Sequence, residues 1–160
     1  MTPATYVREI VIPAAFRLLP EEMGTPEAAA MLMAIGYQES NFAARQQIGG
    51  GPARGFWMFE MGGVLAVITP RSIRIPLNAA LEALRYPSGP QIPQTYYDAI
   101  RHNDVLAAVF ARLLLWLHPD PLPTSTDTAV GWSQYERQWR PGKPRPDDWA
   151  SSWSRAWQTS

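Results

Sequence analysis

Apolar residues recur three and four positions apart along most of the chain, and prolines break the recurrence into short runs. Residues 5–19 form a first amphipathic stretch, closed by Pro20. The run TPEAAAMLMAIGYQES, residues 25–40, is the clearest helix. Thr25 is placed to cap it, Pro26 occupies the first helical position, and Glu27 sits at the positive end. Residues 41–55 carry three consecutive glycines, Gly49, Gly50 and Gly51, then Pro52, and read as a loop. A short helix is predicted over 56–68, interrupted by Gly62 and Gly63. Others are predicted over 72–86, most securely after Pro76, and over 93–118, as one helix or as two broken near His102–Asp104. The last two are predicted over 126–140 and 145–158. Nothing alternates at period 2 over strand length, and no internal repeat or low-complexity tract appears. The expected class is mainly α, with residues 1–160 as one domain.

Composition narrows the function classes. Hydrophobic residues make up 46% of the 160, enough to bury a core. A formal net charge of zero argues against a nucleic-acid binder, which needs a basic surface to neutralise phosphates. Without cysteine there is no disulfide framework, thiol nucleophile or cysteine-metal cluster. The N-terminus has no basic segment ahead of an apolar run, and Arg8, Glu9 and Arg17 interrupt its apolar residues, so it does not read as a signal peptide. The longest apolar run, residues 105–117, is short and contains Arg112; it reads as a core helix and not as a membrane span. Synthesis in a cytoplasm is the expectation.

The two histidines, His102 and His118, have no ligand spacing, so no metal is expected. No GxSxG, Walker or dinucleotide glycine pattern exists, and no cofactor is implied. Trp149, Trp153 and Trp157 stand four apart on one helix face, a stripe that reads as packing against the core. The stretch RQWRPGKPRP reads as a solvated basic loop.

One acid stands out. Glu39 shares a helix face with Met31 and Ile35, at the point where the apolar stripe gives way to the glycine-rich loop. On position alone, a solvated glutamate at a fraying helix end is the ordinary reading. A partly desolvated carboxylate there would instead have a raised pKa, as a general acid requires.

The surroundings favour the second possibility. The pair Glu39–Ser40 ends a helix, and Gly55, Phe56, Trp57 and Met58 follow the loop. This resembles the lysozyme-like superfamily of goose-type lysozymes and soluble lytic transglycosylases. There a catalytic glutamate followed by serine ends a helix, and a Gly-Leu-Met-Gln-type motif comes a little further along. The resemblance covers mainly residues 28–62, with a looser echo at Tyr135, and departs from the family where Met58 replaces the usual glutamine and where "YE" replaces the usual "YN".

It implies a lysozyme-like helical fold and cleavage of the β-1,4 bond between N-acetylmuramic acid and N-acetylglucosamine in peptidoglycan, with glycan strands as partner. Glu39 would be the acid/base, and Phe56, Trp57 and Met58 would line the substrate groove. Ser40 would bond Glu39 or the substrate acetamido group, or only satisfy the helix end. Tyr135 would stand near the acid, although by itself it reads as a core tyrosine. Glu60 is the nearest second carboxylate after Glu39, and is equally readable as a solvated charge. Were it to orient water roughly 6.5–9.5 Å from Glu39, an inverting hydrolase would follow. Without it, the resemblance implies the transglycosylase route, closing a 1,6-anhydro ring.

The C-terminal block around RQWRPGKPRP also resembles small lysozyme-like proteins of bacteriophages, which implies action at the bacterial cell wall as an endolysin or beside other virion proteins. Two other readings stay open: a non-catalytic virion or peptidoglycan-binding protein that keeps the fold, and a helical protein-interaction domain.

Overall fold

The computed structural model describes residues 1–88 and 92–158, and among them the elements are helices without a strand. The N-terminal stretch is one continuous helical path built of α1 (Pro3–Tyr6), a π turn (Val7–Val11) and α2 (Ile12–Arg17). Thr2 caps it, its hydroxyl accepting from the Thr5 N–H at 3.1 Å. The π turn lies immediately before Pro13, which has no N–H and whose ring would clash with the carbonyl four residues back. Widening the turn, so that the Ile12 N–H donates to the Val7 carbonyl, lets the helix pass the proline without breaking.

A short 3₁₀ turn (Glu21–Met23) leads into α3 (Pro26–Glu39). Thr25 caps this helix as its sequence predicts, accepting from the Ala28 N–H at 3.1 Å. The helix is more than amphipathic, however. Every residue from Ala30 to Gln38 is buried, which makes it a central rod of the core and not a surface helix with one apolar face.

The predicted helix over 56–68 begins only at Met61. Residues Arg54 and Phe59 form an isolated antiparallel bridge, each N–H donating to the other's carbonyl at 2.9 and 2.7 Å, with Gly55–Met58 as the turn between them. Gly55 is held at φ 75°, and a Cβ there would lie 2.8 Å from Ile100 Cγ2, so both backbone and space demand glycine. Helix α4 (Met61–Ile68) follows, with Gly62 and Gly63 tolerated in its first turn.

A second 3₁₀ turn (Arg71–Ile73) and α5 (Arg74–Ala83) come next. The 93–118 region is two helices, α6 (Pro93–Ile100) and α7 (Asp104–Trp116). Asn103 makes the break by capping α7, accepting from the Leu106 N–H at 3.0 Å. Helix α7 is buried from Leu106 through Leu115. Helices α8 (Thr128–Trp139) and α9 (Pro146–Trp157) close the fold, with α9 packed along α3.

The tryptophan stripe docks α9 as the periodicity suggests. Trp149 and Trp153 are buried, and their indole N–H groups donate to the Thr128 and Ser125 carbonyls at 2.9 and 2.8 Å. No helix among the described residues is long and apolar enough to cross a membrane.

Candidate active site

Glu39 is the last residue of α3, where the buried rod meets the loop, and is half-buried as a result. The chain turns away sharply: Asn41 and Phe42 both adopt φ 53°. Phe42 then folds back over Gly36, where even one added carbon would meet its ring at 2.2 Å. Edge-on contacts of Phe42 with Tyr37, Phe56 and Trp57, with ring centroids 5.0, 5.6 and 6.3 Å apart, seal the helix end from below. Ser40 staples the same corner. Its hydroxyl donates to the Phe56 carbonyl at 2.6 Å and accepts from the Phe42 N–H at 3.1 Å. Of the roles open to Ser40, satisfying and bracing the helix end is the one its geometry fits.

Two elements distant in sequence close on Glu39. From α8, Tyr135 is buried at 2% exposure and its hydroxyl hydrogen bonds with the Glu39 carboxylate. Its ring lies flat on Trp149, interplanar angle 6° and centroids 5.2 Å apart, so the α9 stripe fixes the tyrosine's plane. From the loop before α9, Arg145 donates to the Gln38 carbonyl, while Gln38 Nε2 donates to the Arg145 carbonyl at 2.8 Å. Ser152 completes this clamp, donating to Gln38 Oε1 at 3.0 Å. The guanidinium is thus held one residue from Glu39.

Burial dominates the electrostatics. Loss of water around the carboxylate pushes the Glu39 pKa from 4.5 up to about 7. The Tyr135 hydrogen bond and the Arg145 charge pull it down, and the charge on Glu60 adds a smaller push up. Tyr135 in turn is pushed up, by burial first and then by the Glu39 charge and hydrogen bond, so it stays a protonated donor.

Glu60 is exposed at the N-terminal end of α4, with no capping hydrogen bond from its side chain. It lies on a groove of about 490 Å³ together with Met58, Gly62, Arg137, Gln138, Trp139 and Arg140. Glu39 is not part of that lining; its partner Tyr135 stands on α8, the helix that also carries the groove residues Arg137, Gln138 and Trp139.

Met58 lines the groove, but Phe56 and Trp57 do not. Trp57 is fully buried and its indole donates to the Leu32 carbonyl of α3 at 2.8 Å. Phe56 is 2% exposed and borders a separate cavity, beneath the Arg45 guanidinium 4.3 Å from its ring centre. Both pack the turn against the core, and the expectation that they line a groove fails because the Arg54–Phe59 bridge points them inward. The aromatics on the groove wall are instead Phe59 and Trp139, and the Trp139 indole donates to the Trp57 carbonyl at 3.0 Å. Trp139's position four residues after Tyr135, on the same helix face, is the signal that identifies it. Arg145 and Gln38 carry no such local signal, since their pairing joins residues 107 apart.

Among the described residues, no three His, Cys, Asp or Glu side chains gather into a metal-binding group. Compared with protein-family models, curated proteins and solved structures, the chain matches none of them. What the site can do therefore has to come from its own chemistry: a carboxyl that exchanges its proton near neutrality, oriented by a buried tyrosine, beside a groove with a second acid.

Proposed function

We propose that the protein cleaves the β-1,4 bond between N-acetylmuramic acid and N-acetylglucosamine in peptidoglycan, as a lytic transglycosylase or a muramidase of the lysozyme-like type. The observation that carries this is Glu39 itself, half-buried, hydrogen bonded to Tyr135 and with a pKa raised to about 7. Such a carboxyl keeps its proton in about half of the molecules at neutral pH and can give it up to a leaving glycosidic oxygen, which is the step this chemistry requires. The sequence resemblance at Glu39–Ser40 and Gly55–Met58 supports the same reading, and Met58 and Trp139 are the groove contacts it uses.

In a muramidase of the inverting kind the attacking oxygen belongs to water: Glu60 on the groove wall orients that water and takes its proton as it bonds to the anomeric carbon, while Glu39 protonates the departing oxygen. In a transglycosylase the sugar's acetamido group holds the anomeric carbon as the bond breaks; the muramic acid's own 6-hydroxyl then displaces it and gives its proton to the ionised Glu39, and Glu60 has no chemical role. The site of action would be the bacterial cell wall, reached as a phage endolysin or as a virion component.

Mass spectrometry of muropeptides released from purified peptidoglycan by wild type and by Glu39→Gln tests the proposal. Products lighter by one water and lost in the variant support the transglycosylase. Reducing muramic ends lost in the variant support the muramidase and make Glu60 the next residue to change. Products released equally by Glu39→Gln would refute the catalytic role. No release by wild type, with retained binding to cell walls, would favour the non-catalytic reading.

A further inference from the structure

A cavity of about 850 Å³, larger than the groove beside Glu39, opens elsewhere on the molecule. It lies at the other end of α3, with Thr25 and Glu27 on its wall. At 1.5 Å per helical residue, the fourteen positions from Thr25 to Glu39 place it roughly 20 Å away. Its floor contains Arg112, the one charged residue in the apolar run of α7.

Arg112 is 2% exposed and has no carboxylate partner; the ion pairs of the described residues are Arg45–Asp104 and Arg145–Asp148. Its Nε donates to the Met23 carbonyl at 2.7 Å, its guanidinium stands 5.4 Å from the Trp116 ring centre, and its Nη1 is buried with no partner. Burial lowers its pKa to about 10, which leaves it charged at neutral pH. A buried, unpaired cation with an idle donor is costly to keep, and a carboxylate brought to it would recover that cost.

The neighbouring groups narrow what could bring one. Buried His118 accepts from the Asp120 N–H through Nδ1 at 3.1 Å, which leaves its proton on Nε2 as a second donor. Glu22, Glu27 and Asp120 stand on the cavity's walls and would repel a simple anion. They would hold an ammonium. Leu115, Trp116 and Leu122 supply apolar wall between these charges. The volume lies within the range, roughly 300–1,000 Å³, of pockets that enclose whole small molecules and exceeds what a lone ion needs.

We propose that this cavity is a second binding site, for a short zwitterionic peptide whose carboxylate pairs with Arg112 and His118, whose ammonium faces the acidic wall, and whose apolar side chains lie on Trp116 and Leu115. The site stands apart from Glu39 and does not depend on the function proposed there.

The test is an NMR titration of the full chain with the dipeptide Leu-Leu, its C-terminal amide and its N-acetyl derivative, following the indole N–H of Trp116, assigned by its loss in Trp116→Phe. Leu-Leu should move that resonance in a saturable way. The amide and the N-acetyl form should each bind at least about tenfold more weakly, which corresponds to one lost charge-assisted contact. Arg112→Gln should abolish the preference for the free carboxylate. Equal binding of all three ligands would overturn the proposal. So would a folded Arg112→Gln that still discriminates, or shifts that spare Trp116. Absence of binding by Leu-Leu at concentrations of about 20 mM, beyond ordinary weak sites, would overturn it as well. Because the three ligands are compared on the wild-type protein, the outcome does not hinge on whether the variant folds.

Discussion

Replacing Glu39 by glutamine should make the protein more stable, and by an amount that depends on pH. In the unfolded chain Glu39 ionises near 4.5, and in the fold near 7. Between those values the folded state still holds a proton that the unfolded state has released, so stability falls as pH rises through this window. Below about pH 4.5 both states are protonated and the group contributes no penalty. The gap from 4.5 to about 7, at about 1.36 kcal/mol per pH unit, amounts to about 3 kcal/mol above pH 7. Contact of the half-buried carboxyl with water trims this, which makes it an upper value.

Glutamine fills the same space and accepts the same Tyr135 hydrogen bond but does not ionise. Urea unfolding of both proteins at about pH 4 and about pH 8 reads the difference, since the other titrating groups are common to both and cancel. The variant's advantage should be near zero at the acid end and up to about 3 kcal/mol at the alkaline end. An advantage that is equal at both pH values, or that shrinks toward alkaline pH, would refute the claim that Glu39 ionises against burial.

Tyr135→Phe removes a hydrogen bond that favours the ionised carboxylate, so Glu39 should titrate above 7, by about one to two pH units if the bond is worth about 1.5–3 kcal/mol. Carbon-13 NMR of the Glu39 carboxyl measures this, and an unmoved or lowered midpoint would count against the contact. Arg145→Gln should also raise the Glu39 midpoint, by less than Tyr135→Phe, because the arginine is exposed to solvent; added salt at about 1 M should shrink the difference. Gly55→Ala should lower the urea midpoint by the equivalent of about 1–3 kcal/mol, since it forces a positive φ and a contact with Ile100; an unchanged midpoint would mean the turn relaxes freely.

Much of the fold was legible from local chemistry. The cap at Thr25, the candidate break near His102–Asp104, the prolines at helix starts and the four-residue spacing of Trp149, Trp153 and Trp157 act over a turn or two of helix, so their consequences follow from neighbours in the chain. Glu39 was legible for the same reason: it continues the Met31–Ile35 face to the point where the loop begins. The π turn before Pro13 is local as well, although the pattern of apolar positions does not reveal it, because a widened turn keeps the helical spacing almost intact.

What the tertiary structure decided is whatever depends on a partner far along the chain. Phe56 and Trp57 carry the same sequence whether they face a groove or the core; the Arg54–Phe59 bridge and the acceptor at Leu32 turned them inward and left Trp139 at the groove. Tyr135 became a partner of Glu39 because α8 and the Trp149 ring hold it there. Gln38 and Arg145 met because α9 lies along α3. The raised pKa of Glu39 belongs to this second class. Its position came from the helix, but the loss of water that raises it exists only once α3, α8 and the loop before α9 have closed around the carboxyl.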